Sequence, residues 1–180
     1  GPGRNGGGAV ETPLVLVCTH AKRDTCCAVK GRPLAAELVE DYPDMVWETS
    51  HTKGHRFAPS VMLMPWGYSF GRMNKEAAAQ MIAAAARGKY FYPVNRGRGI
   101  FGPRGQVAEL AVARALIDAG EELSYGQLTA TDSGEVSHID GRRWRVTLEE
   151  REVEGVVSSC GDAPKTGQAI VATGVEPVAG

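Results

Sequence analysis

Pro13-Leu14-Val15-Leu16-Val17-Cys18-Thr19-His20-Ala21-Lys22-Arg23-Asp24-Thr25-Cys26-Cys27 runs from an apolar stretch straight into a polar, cysteine-bearing loop. The short, continuous, β-branched-rich run ending at Cys18 reads as a strand buried on both faces. Thr19 to Thr25 is then a loop. Pro33-Leu-Ala-Ala-Glu-Leu-Val-Glu40 has apolar positions at helical spacing, with proline near the first turn, where it is tolerated. Met45 to Ser50 alternates as a second strand that delivers His51 at its end, and Gly54 permits the turn that brings His55 back to the same side.

Three of the four cysteines and three of the four histidines lie between Cys18 and His55. Thiolate and neutral imidazole are the groups that bind iron-sulfur clusters and zinc. Cys18 and Cys27 have eight residues between them, a spacing that suits a loop curling around something larger than one ion, whereas zinc sites prefer tighter cysteine pairs. The order also differs from a Rieske centre, in which cysteine and histidine alternate within two short motifs. Cys18-Thr-His20 imitates one such motif, but no Cys-x-x-His follows.

The runs CTHAKRDTCCAVKGRPL, from Cys18, and SHTKGHRFAPSVMLMPWG, from Ser50, resemble the sucrase/ferredoxin-like family of thioredoxin-like 2Fe-2S proteins. The family pattern is Cys-x-His-x-x-Arg-Asp-x-x-Cys, then His-x-x-Gly-His-x-Phe-Ala. Lys53-Gly54 stands here for the usual Gly-Gly, and Pro59 follows Ala58; both departures touch loop shape and leave the ligand positions intact. Carried over position by position, the resemblance implies Cys18 and Cys27 as thiolate ligands and His51 and His55 as imidazole ligands of a 2Fe-2S cluster. It implies a proton-coupled one-electron carrier, not an enzyme by itself, working between unidentified redox donor and acceptor proteins. It also implies a thioredoxin-like fold over about the first half of the chain.

The downstream sequence continues that order. Ser60 to Pro65 and Tyr68 to Gly71 read as a hairpin across Trp66-Gly67, and Asn74 caps a helix that ends near Gly88. The resulting βαβββα series is the one a thioredoxin-like α/β sheet needs. After Gly88 come the Gly/Arg-rich Asn95 to Gly99, a helix near Arg104 to Ala119, and two or three antiparallel strands over 125–158, with Asp140-Gly141 as a turn. Gly97-Arg98-Gly99, Gln106-x-x-Glu109, Trp144-Arg-Val146 and Ser159-Cys160-Gly161 extend the resemblance to about residue 165. The expected organisation is a flexible lead-in over 1–12, a thioredoxin-like 2Fe-2S domain over 13–92, a helix-and-hairpin extension over 93–165, and a tail over 166–180.

A chain of 180 residues that is 43% hydrophobic, with a formal net charge of −1, can bury one good core. Its evenly spread charge gives no footprint for nucleic acid or an anionic membrane, and no apolar run reaches spanning length. A soluble, cytoplasmic protein is expected. Two of the cysteines are adjacent, and a vicinal disulfide is strained, so reduced thiols are expected in place of a disulfide framework.

Several other residues receive plain readings. Cys26 is a bystander thiol in an extended loop, and Cys160 is given no task. His20 reads as a residue behind the ligands or at the surface, His138 as solvent-exposed, and Arg23-Asp24 as a local ion pair that shapes the loop or as a source of hydrogen bonds toward cluster sulfur. Arg96, Arg98 and Arg104 lie among glycines but match no complete phosphate-binding motif, so a solvated loop is expected. The rival functions are a structural Cys2His2 zinc module and a hydrolase, although no pair of carboxylates positioned for glycoside hydrolysis stands out.

Overall fold

The computed structural model describes residues 12–22, 25–52 and 54–178. Strand β1 (Leu14–Cys18) leads to helix α1 (Thr25–Asp41), strand β2 (Val46–Thr49), a 3-10 turn (His55–Phe57), the hairpin β3 (Ser60–Met64) and β4 (Tyr68–Gly71), and helix α2 (Lys75–Ala85). β1 pairs in parallel with β2 and antiparallel with β3, and β3 pairs antiparallel with β4. The sheet order β2-β1-β3-β4, closed at its far edge by β5 (Asn95–Arg98), is the thioredoxin-like arrangement. A parallel β1–β2 pair requires a crossover, which α1 supplies, while the three residues Pro65, Trp66 and Gly67 join the β3–β4 hairpin.

Helix α1 begins eight residues earlier than Pro33, the expected start, and holds Pro33 in its interior. The proline ring leaves the carbonyl of residue 29 without its helical partner. Val29 is 64% exposed, so that side of the helix is open to water. Cys26 and Cys27 therefore lie on a helical turn and not in an extended loop. Helix α2 begins where expected, with the Ala77 amide donating to the Asn74 side chain at 2.9 Å.

Helix α3 (Pro103–Asp118) packs against β5 on one side and against a second sheet on the other. That sheet has the order β6 (Leu128–Ala130), β7 (Glu135–His138), β8 (Arg143–Val156) and β9 (Lys165–Pro177). Residues 165–177, nearly all expected to be tail, form β9, which pairs with β8 along most of its length. The near ends of this hairpin are anchored by the buried Trp144 and Val146. Its far end is largely exposed; a 14-residue strand spans roughly 45 Å.

One hydrophobic cluster unites the two sheets, running from Val15, Leu38 and Phe70 through Val112 and Leu116 to Leu128 and Trp144. Glu109 of α3 is fully buried within it and accepts a hydrogen bond from the Tyr68 hydroxyl. Burial lifts the Glu109 carboxyl to about 7, against the opposing hydrogen bond from Tyr68 and the charge of Arg98. Burial, and then Glu109 itself, push Tyr68 upward as well. The Tyr68, Tyr90 and Tyr125 rings pack with centroids 5.0 to 5.3 Å apart, spacings suited to edge-on and tilted aromatic contacts.

Candidate metal centre

Cys18 ends β1 and Cys27 lies in the first turn of α1; each is 1% exposed. With Ala58 they form a small buried cluster separate from the main core, against which Cys26 packs. The approach depends on Gly31. A Cβ there would lie 2.2 Å from the Cys18 carbonyl oxygen, so only glycine lets α1 cross this close to the end of β1. The beginning of a helix also favours negative charge through its unpaired amides, an environment suited to a thiolate.

The histidine side of the site follows β2. The Thr19 amide donates to the Thr49 carbonyl at 3.2 Å, which keeps the Cys18 and Ser50 loops adjacent beyond the last strand pair. His51 is half-buried, and its ring centroid lies 6.1 Å from that of His20. His20 thus stands beside a sequence-derived ligand position. A cleft of about 460 Å³ opens next to it, lined by Thr19, His20, Lys22, Arg32, Glu48 and Thr49, among others. Gly54 turns with φ +69°; its carbonyl accepts from the Ser60 hydroxyl at 3.1 Å and from the Phe57 amide at 2.9 Å. His55 opens the 3-10 turn.

The His55 side chain and the Arg23-Asp24 pair lie outside the described residues. Among the described residues, no group of three or more His, Cys, Asp or Glu side chains is placed to hold a metal ion. What the fold does bring together is the buried Cys18–Cys27 pair, and His51 with His20. Two buried sulfurs at a strand end and a helix start, beside a histidine-bearing loop, are a donor set that fits an iron-sulfur group.

Three readings from the sequence are corrected here. Cys26 and Cys160 form a disulfide with Cα atoms 5.8 Å apart, an ordinary separation for such a bond. Cys160 lies in the loop joining β8 to β9, so the long hairpin is fastened beside the cysteine pair. The adjacency of Cys26 and Cys27 hid this, because it drew attention to a vicinal bond and away from a distant partner. A disulfide also stands in tension with the expected reducing, cytoplasmic setting. His138 is not solvent-exposed: its side chain is 9% exposed, and Nδ1 lies 2.8 Å from Asp140 Oδ1. Asn95 to Arg98 is strand β5, not a solvated loop; Arg98 Nε donates to the Trp66 carbonyl at 2.8 Å, and Arg96 packs on Phe57 with Cζ 3.4 Å from the ring centroid.

The fold and this site define a thioredoxin-like α/β protein with a buried cysteine pair at the end of its first strand. The chain belongs to the sucrase/ferredoxin-like family, whose sequence model matches residues 8–97, half of the 180 residues. The match stops inside β5, so α3 and the second sheet fall outside it, although the sequence resemblance had been extended to about residue 165. Two solved structures of a thioredoxin-like [2Fe-2S] ferredoxin from Aquifex aeolicus are similar to this chain. One is 16% identical over 50% of this chain and 94% of that one, with a TM-score of 0.41. The other, the wild-type protein, is 17% identical over 44% and 89%, with a TM-score of 0.35. No curated protein matches the sequence.

Proposed function

We propose that this chain is an electron-transfer protein in which Cys18, Cys27, His51 and His55 hold a 2Fe-2S cluster. The observation that carries the reading is the burial of Cys18 and Cys27 side by side, apart from the main core, at the two cysteine positions of the family motif. Such a cluster supplies one-electron oxidation and reduction with little change of structure. The protein's own part is to bury the two sulfurs, present the histidine loop from β2 and limit the approach of water.

Linked uptake of a proton at an imidazole ligand belongs to the same proposal, as do redox donor and acceptor proteins as partners and a role as carrier in place of enzyme. Among the described residues, no helix is long and apolar enough to cross a membrane.

The test is the content of iron and acid-labile sulfide in the purified protein. Two irons and two sulfides per chain, on the order of the 2Fe-2S stoichiometry, with red-brown absorption, are expected. One zinc per chain without sulfide, the order expected of a structural Cys2His2 site, would replace this reading with the zinc module.

A further inference from the structure

Three guanidinium groups converge on one phenyl ring immediately beyond the histidine loop. Arg96 Cζ lies 3.4 Å from the Phe57 ring centroid, Arg56 Cζ 4.6 Å and Arg72 Cζ 5.8 Å. They come from three separate elements: the 3-10 turn, the segment after β4, and β5. Among the described residues none of the three has an ion-pair partner, whereas Arg104, Arg114, Arg142, Arg145 and Arg151 each face a carboxylate. Burial, and then the charges of Arg56 and Arg72, hold Arg96 below the ordinary arginine value. Like charges gathered without a counter-ion raise the energy of the fold, and a phenyl face offsets only part of that.

The backbone around this cluster is also strained. Among the described residues, Arg72 (φ +56°) and Val94 (φ +54°) are the non-glycine residues in the left-handed region. Such a conformation is unfavourable for an L-residue, and for a β-branched side chain it is a clear outlier. Both residues line one pocket of about 230 Å³, together with Phe57, Gly71, Asn95 and Arg96. The Arg72 amide donates to the Phe57 carbonyl at 2.6 Å, and the Gly71 amide to the Val94 carbonyl at 3.2 Å. Gly71 has no room for a side chain, since a Cβ would lie 2.7 Å from Phe57 Cβ and 3.0 Å from Arg96 Cδ. Strain that persists at a charged, concave site marks a place where geometry serves binding.

A second cleft, of about 350 Å³, lies where the far end of the β8–β9 hairpin faces the same residues. Arg56, Phe57 and Arg72 form one wall, and Val153, Val156 and Val157 stand on the other with Glu154 and Gln168. Val153 and Val157 are 40% and 41% exposed. The cleft therefore offers cations at one side and uncovered apolar surface at the other, at a volume ordinary for small-molecule sites. Three guanidiniums with one nearby carboxylate leave an excess of two positive charges, which a phosphate dianion matches better than a single carboxylate. The fork of N–H donors on arginine suits phosphate geometry.

We propose that this cleft and the adjoining pocket of about 230 Å³, which share Phe57 and Arg72, together bind a small molecule bearing a phosphate group, with the phosphate held by Arg56 and Arg72 from the cleft and Arg96 from the pocket and an apolar portion laid against Val153, Val156 and Val157. The site is built from residues other than the candidate cluster ligands, so it stands or falls separately from the electron-transfer reading.

Isothermal titration of the full chain with pyrophosphate, inorganic phosphate and citrate at matched ionic strength tests the site, with iron and sulfide measured on the same samples. Saturable binding of pyrophosphate to one site per chain is expected, tighter than citrate, with affinity at least tenfold weaker in Arg96→Gln and in Arg72→Gln. Arg56→Gln, at an exposed position, is expected to weaken binding without lowering the thermal melt, because it relieves like-charge repulsion, which guards against a variant that merely misfolds. Wild-type affinity in all three variants would overturn the proposal, as would binding that follows ionic strength alone. Tighter binding of citrate would make the site one for carboxylates, and binding of an Asp/Glu-rich peptide without pyrophosphate would make the surface a protein contact; either result overturns it.

Discussion

Cys26, in the first turn of α1, is bonded through its sulfur to Cys160 in the loop of the β8–β9 hairpin, 134 positions further along the chain. The bond pins the far end of the hairpin beside the Cys18–Cys27 pair, while Trp144 and Val146 fix its near end in the core. A strand pair that would otherwise project from the fold thus becomes a strap across the cysteine end of the first sheet.

Closing a loop of this length restricts the unfolded chain, and the chain-entropy account gives a contribution of about 4–5 kcal/mol. Cys160→Ser should lower the stability of the oxidised protein by up to that amount, measured by denaturant unfolding. Wild type and variant should converge once the bond is reduced. Peptide mapping without reductant should recover Cys26 linked to Cys160, and a Cys26–Cys27 link would contradict the structure.

The same bond separates the neighbouring cysteines chemically. With Cys26 engaged by Cys160, Cys27 is left as the sulfur facing Cys18, so Cys27→Ser should lose iron and visible absorption while Cys26→Ser retains both. His51→Ala should lower iron content as well. Metal analysis of the three variants checks the assignment, and colour retained in Cys27→Ser but lost in Cys26→Ser would move the second thiolate to Cys26.

Gly31 sets how near α1 comes to β1. Because a Cβ would press on the Cys18 backbone carbonyl and not on a movable side chain, Gly31→Ala should destabilise the fold by about 1–3 kcal/mol or more through overpacking. Iron retention should fall with it. An unfolding midpoint equal to wild type would show that α1 can shift without cost.

Glu109 makes stability depend on pH. Its folded value of about 7 lies above the ordinary 4.5, so the folded state binds the proton more tightly. The contribution is fully present below about pH 4.5 and is lost as pH rises through 7, amounting to up to about 3 kcal/mol. Glu109→Gln should flatten the stability profile between those limits and be the more stable form above pH 7. Thermal melts across that range measure it, and a wild-type profile that rises with pH there would reverse the assignment.

Strands β1 to β4 and the start of α2 are legible in the sequence alone. The apolar run into Cys18, the alternation from Met45 to Ser50 and the Asn74 cap are local patterns, since burial on a strand and hydrogen bonding at a helix start are decided by neighbours in the chain. Alanine and leucine at helical spacing also marked α3, expected near Arg104 to Ala119, although not that Glu109 would be buried against Tyr68 of β4. The start of α1 is not legible in the sequence, because Pro33 reads as a start signal and the chain holds it in the interior where the helix faces water.

What only the tertiary structure decided are the relationships that join distant elements. The Cys26–Cys160 bond, the β9 strand and the gathering of Arg56, Arg72 and Arg96 on Phe57 each depend on the hairpin or β5 returning to the first sheet. No periodicity records such an approach: β9 is defined by pairing with β8, and the three arginines are separated by 16 and 24 positions in the chain. Charge and spacing along a sequence do not state which side chains will share a surface. That is settled by sheet order, and here by the return through α2 that brings β5 alongside β4.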